Sequence, residues 1–124
     1  MHNKDLEYIA KKFAIAYTTH TIHPIRRVLA KDFSYASMWV LDEITSKRAY
    51  LKYLKGKLKT IKKSVGDGAT VSTEIVFDTR FNTPYLLLTQ KGAKGLLVFS
   101  MEKDKLKRAD LCIPELYSYS HQRK

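Results

Sequence analysis

The sequence predicts an α+β chain in which helices come first and then cover one face of an antiparallel sheet. Three observations carry this. Two segments, 4–19 and 46–63, repeat their apolar residues at spacings of three and four, the period of a helix. The stretch from Val71 to Ile113 instead alternates, or runs apolar at strand length. Turn signals at 91–95 and 102–105 cut that stretch into hairpin-linked strands, and hairpin links make neighbours antiparallel.

In the first segment Leu6, Ile9, Ala10, Phe13, Ala16 and Tyr17 form one apolar stripe. Asn3 is the expected N-cap, and Asp5 and Glu7 face the positive end of the helix dipole. Pro24 suits the first turn of a short second helix, 24–29, because an N–H at that position would have no partner anyway. Ile25, Val28 and Leu29 give this helix its buried side.

Residues 33–40 read as a strand. Phe33, Tyr35, Ser37 and Trp39 fall on one face, and Ser34, Ala36, Met38 and Val40 on the other. Thr45 or Ser46 then caps a long helix with the stripe Leu51, Leu54, Leu58 and Ile61, flanked by Tyr50 and Tyr53. Gly56 inside it costs about 1 kcal/mol against Ala, and either permits a close approach to the sheet or is tolerated. Val65-Gly66-Asp67-Gly68 stops the helix. Strands follow over 71–79, 85–89, 96–101 and 106–113, the last closed by Pro114.

The chain has 124 residues with 44% apolar content, which fits one domain and excludes intrinsic disorder. A core is expected over 4–113, with a polar, frayed tail at 114–124. Cys112 is the only cysteine, so it forms no disulfide within the chain and no cysteine zinc cluster; in Leu111-Cys112-Ile113 it reads as a small buried hydrophobe. No cofactor is expected. No run approaches the roughly 20 apolar residues of a membrane-spanning helix, and the N-terminus lacks the apolar core of a secretory signal. No membrane association and a cytoplasmic location are the expectations.

The formal net charge is +11, from 23 Lys+Arg and 12 Asp+Glu. Between Thr45 and Val65 there are eight basic residues and no acid. Lys52, Lys55, Lys59, Lys62 and Lys63 form a stripe opposite the apolar one. It is either a solvated face or a surface that tracks phosphates, weakly and without sequence preference, since it lacks residues that read base edges.

The order of elements, with the entry Leu29-Ala30-Lys31-Asp32-Phe33 into the first strand and the long helix after Ile44-Thr45-Ser46-Lys47, resembles the nuclear-transport-factor-2-like superfamily. That group includes ketosteroid isomerase, scytalone dehydratase and SnoaL-like cyclases. The resemblance covers about residues 4–113. It departs at Ser46, where a glycine is usual. It implies a cystatin-like cone, with a highly curved sheet wrapped round the long helix and a pocket between them, used by many members for a small apolar molecule. It also implies homodimers formed through the outer face of the sheet. For that face the sequence offers Val76 and the Leu86/Leu88 row, opposite an inward row of Phe77 and Leu87.

Isomerase chemistry in such a cone needs a carboxylate base at the end of the first strand, where this chain has Ser37 and Trp39. None of the four histidines, His2, His20, His23 and His121, falls on an expected strand. Asp110 is the one acid of interest. It is either a buried carboxylate facing the cone, with a raised pKa, or the partner of Arg108, Lys107 or a neighbouring strand's cation. With eight tyrosines in the chain, Tyr17, Tyr35 and Tyr50 together with Ser37, Trp39 and Asp110 are the expected ligand-binding set; the other reading of the aromatics is a filled core. Turned toward the cone, the Trp39 indole would meet Asp110 as the nearest acid. The favoured function is therefore binding of a small apolar or aromatic molecule, without a catalytic set. The alternatives are an isomerase- or cyclase-like enzyme using Asp110 and a tyrosine, and an interaction module binding nucleic acid or an acidic partner through the helix at 46–63.

Overall fold

The computed structural model describes residues 2–65 and 70–122. Helix α1 spans His2–Thr19 and α2 spans His23–Arg26. Strands β1, Leu29–Ser37, and β2, Val40–Ile44, precede the long helix α3, Lys47–Ser64. Four strands follow: β3 Ser72–Asp78, β4 Pro84–Gln90, β5 Ala93–Glu102 and β6 Lys105–Cys112. A 3₁₀ turn at Pro114–Leu116 leads to a two-residue strand β7, Tyr119–Ser120.

The seven strands form one curved sheet in the order β2-β1-β6-β5-β4-β3-β7. Hairpins make β3 to β6 antiparallel, but β1 lies parallel to β6, so the sheet is mixed rather than purely antiparallel. The crossover from β1 back to the sheet carries α3, and a connection of that length allows parallel pairing. At the β4–β5 hairpin Lys91 and Gly92 both have positive φ, the geometry of a two-residue hairpin turn.

Several elements differ from the sequence expectation for local reasons. α1 already includes Asn3, which therefore lies within the helix rather than at its cap. α2 ends at Arg26, and Leu29 opens β1 instead of closing the helix. The strand expected over 33–40 stops at Ser37. Met38 and Trp39 turn the chain into β2, a strand the sequence reading did not expect. Ser46 is the cap of α3, its hydroxyl accepting from the Ala49 N–H. Gly56 has open space where a side chain would sit, so it is tolerated and permits no close approach. The stop signal after Val65 lies, from Gly66, outside the described residues. The tail is ordered through β7, which pairs with β3.

The main core lies between α1, α3 and one face of the sheet, and holds Phe13, Phe33, Tyr50, Leu54, Leu58, Leu86, Leu88, Leu97 and Phe99. The opposite face carries a second cluster, Val76, Tyr85, Leu87 and Leu96, with Tyr117 and Tyr119 of the C-terminal segment packed on it. Leu86 and Leu88 thus face the helices, and Leu87 faces away, the reverse of the expected rows. One residue of phase in an apolar run decides this, and in a run such as Tyr85-Leu86-Leu87-Leu88 the sequence gives no alternation to read. The outer apolar row is buried within the chain by its own tail.

Candidate functional site

Where α3, β4, β5 and the β1–β2 turn meet, a cavity of about 190 Å³ opens. Its apolar wall is Ile61, Val71, Leu88 and Leu111, and its polar groups include Tyr17 and Lys57. The cavity continues into a wider groove between α3 and the β4–β5 hairpin, lined by Lys57, Ile61, Gln90 and Lys91. Gly95 shapes the wall: a Cβ there would meet Leu111 Cδ1 at 2.9 Å, so only glycine leaves that leucine its place.

Behind the cavity sits a cluster of tyrosines. Tyr35 packs against Tyr50 with ring centroids 4.9 Å apart and planes tilted by 39°, and the Tyr53 ring lies 5.7 Å from that of Tyr35. The hydroxyls of Tyr35 and Tyr50 are buried with no hydrogen-bond partner. Ser37 and Tyr53 approach the Tyr35 hydroxyl and influence its ionisation without closing a bond of ordinary geometry. Burial above all, and then the neighbouring tyrosines, push the phenols of Tyr17, Tyr35 and Tyr50 well above their ordinary range. They are therefore neutral donors at any physiological pH and cannot act as bases.

Lys57 belongs to the same group. Its ammonium lies 6.0 Å from the Tyr17 ring centre and 5.9 Å from that of Tyr53. Burial pulls its pKa below the ordinary lysine value. Among the described residues no carboxylate forms an ion pair with it. The sequence reading placed Lys57 among the helix lysines. The available signal was its phase: Tyr50, Tyr53, Leu54, Lys57, Leu58 and Ile61 recur at three and four, so Lys57 sits on the apolar stripe.

The expected site residues divide. Tyr17 and Trp39 line the cavity, Tyr35 and Tyr50 pack beside it, and Ser37 ends β1 at its edge, its hydroxyl accepting from the Trp39 N–H. Trp39 is 55% exposed, because it occupies the β1–β2 turn rather than the strand interior. Asp110 is not in the cavity. It pairs across the sheet with Val98 and Ala36, on the face of the outer cluster. There Arg108 donates to both its oxygens, from Nε at 3.2 and 3.1 Å and from Nη2 at 3.0 Å. Arg108 also reaches Glu43 Oε2 at 2.6 Å and Ser34 Oγ at 3.2 Å. Asp110 is thus one member of a surface ion-pair network and cannot be the partner of the Trp39 indole.

No carboxylate or imidazole lines the cavity among the described residues; Lys57 is the titratable side chain of its lining whose pKa burial lowers. His121 pairs with Glu74 at 2.7 Å; Glu74 lies opposite Leu87 of the outer cluster, so the pair is on the other face of the sheet. No group of three metal-binding side chains occurs among the described residues. No helix among them is long and apolar enough to cross a membrane. Lys52, Lys55, Lys59, Lys62 and Lys63 are all exposed on α3, as their spacing predicts.

Compared by sequence, the chain matches no family model and no curated protein. Solved structures match it closely in shape. A SnoaL-like protein of unknown function from Burkholderia thailandensis has a TM-score of 0.66 at 15% identity, over 94% of this chain and 95% of that one. This chain has the cystatin-like cone fold. An uncharacterised cystatin-fold protein from Novosphingobium aromaticivorans matches with a TM-score of 0.61 at 18% identity, over 88% and 97%. A de novo designed protein with a curved β-sheet matches as well, with a TM-score of 0.62 at 13% identity, over 94% and 91%. A fold does not fix a function, so function has to be argued from the site.

Proposed function

We propose that this cone-fold protein binds a small, flat, mainly apolar molecule in the cavity beneath Trp39. The observation that carries the reading is a cavity whose wall of Ile61, Val71, Leu88 and Leu111 is apolar, with Tyr17, Trp39 and Lys57 on the same lining. The volume suits one ring: an apolar protein cavity of about 150 Å³ is known to take up benzene.

Trp39 is the only tryptophan and lies on the lining, so its fluorescence reports occupancy directly. Titration with neutral one-ring aromatics, from toluene to 2-phenylacetamide, is expected to shift or quench its emission in a saturable way. A flat response to every member of the series contradicts the reading and makes the cone a packed core.

A further inference from the structure

The cavity and the groove beside it share one charged residue of unusual position. Lys57 stands on the apolar stripe of α3 and lines both spaces. Its ammonium lies over two aromatic rings, and no carboxylate among the described residues neutralises it. The other charged side chains at these spaces are also cationic: Lys94 on the cavity and Lys91 on the groove. Tyr17, held neutral, adds a hydroxyl on the same wall. A lysine serving only as a solvated surface charge gains nothing from this position, because desolvation disfavours its charged form. A bound anion would restore the balance, because an ammonium–carboxylate hydrogen bond in a partly dry site is among the stronger polar contacts.

Resting on the apolar-ligand reading above, we propose that the ligand is a small aromatic carboxylic acid, its ring in the 190 Å³ cavity and its carboxylate on Lys57. The apolar wall of Ile61, Val71, Leu88 and Leu111 takes the ring, and the lysine sits where the cavity meets the groove. The cavity itself holds about one ring.

The test uses two probes of equal shape, phenylacetate and 2-phenylacetamide, titrated at neutral pH by calorimetry and by Trp39 fluorescence. The expected result is that the acid binds about tenfold or more tighter than the amide. Lys57→Met keeps most of the side chain's length and removes the charge, so it is expected to abolish that preference. Lys63→Ala, on the exposed face of α3, lowers the net charge equally and is expected to leave the preference intact. If acid and amide bind the unaltered chain equally well, the carboxylate assignment is overturned and the apolar-ligand reading stands. If neither probe binds, both are overturned. If Lys63→Ala removes the preference as fully as Lys57→Met, the effect belongs to overall charge, and the assignment to Lys57 fails. The comparison of acid with amide needs no variant, so it decides the question even if Lys57→Met does not fold.

Discussion

The two faces of the sheet treat their polar groups in opposite ways. On the outer face every conspicuous polar side chain is partnered. Tyr85 donates to Asp78 at 3.2 Å, and Asp78 also accepts from the backbone N–H groups of Arg80 and Phe81 at 2.8 and 2.7 Å, which hold its carboxyl below the usual range. Tyr117 donates to Cys112 Sγ at 3.4 Å, and that contact first, then burial, pushes its phenol up to about 12. Arg108 bridges Asp110, Glu43 and Ser34. On the helix-covered face Tyr35 and Tyr50 keep hydroxyls without partners, and among the described residues no carboxylate pairs with Lys57. The same residue types thus serve cohesion on one side and stand open on the other. Tyrosine content alone does not mark a site; the partner of each hydroxyl does.

The largest expected effect separates the packed part of the helix-covered face from its open part. Phe33 is fully buried against Tyr50 at 4.8 Å, and Phe33→Ala is expected to cost about 3–5 kcal/mol in denaturant unfolding. Trp39→Ala, at an exposed turn, is expected to cost under about 1 kcal/mol. Equal losses would place the indole in the core and close the cavity.

Opposite signs are expected from one substitution made on each face. Tyr50→Phe removes a hydroxyl that nothing satisfies and is expected to stabilise the chain by about 1 kcal/mol. Tyr85→Phe removes a donor to an ionised carboxylate and is expected to destabilise it by about 1 kcal/mol. A loss of stability in both would erase the contrast between the faces.

Lys57 sharpens the contrast through pH. Its folded pKa lies below the unfolded value because of burial, so between the two the unfolded chain holds more protons and stability rises with pH. At neutral pH the penalty for the charged amine is fully present. Lys57→Met is therefore expected to stabilise the chain by about 1 kcal/mol near pH 7, with the gain shrinking as pH rises toward the unfolded lysine value. Thermal melts across that range check it, and a gain that grows with pH would contradict the assignment.

The smallest effect on stability is expected at Gly95. Its added Cβ would press on the flexible end of Leu111, so Gly95→Ala is expected to change stability by under about 0.5 kcal/mol while narrowing the cavity. Weakened binding of 2-phenylacetamide with an unchanged melt is the expected pairing.

Helices α1 and α3 were legible because their stripes run for several turns, and the β4–β5 hairpin because Lys91-Gly92 demands positive φ. The parallel β1–β6 pairing was not, since it joins residues more than seventy positions apart and leaves no local mark. Trp39 was misplaced for a related reason: Met38-Trp39 carries no glycine or proline to announce a turn. Asp110 illustrates a phase problem. Its place in β6 was correctly read, but which face of that strand meets the helices depends on pairing with β5 and β1. The inward placement of Tyr17, Tyr35 and Tyr50 was legible from stripe and strand alternation, whereas Lys57 hid among seven other basic residues of the same helix segment.

The contrast between the faces is tested most directly by mapping backbone amide shifts on titration with phenylacetate. The account predicts shifts concentrated at Tyr17, Trp39, Lys57, Leu88 and Gly95, with Asp110, Cys112 and Tyr117 on the outer face unmoved. Shifts centred on the outer residues, or none at millimolar probe, would contradict it.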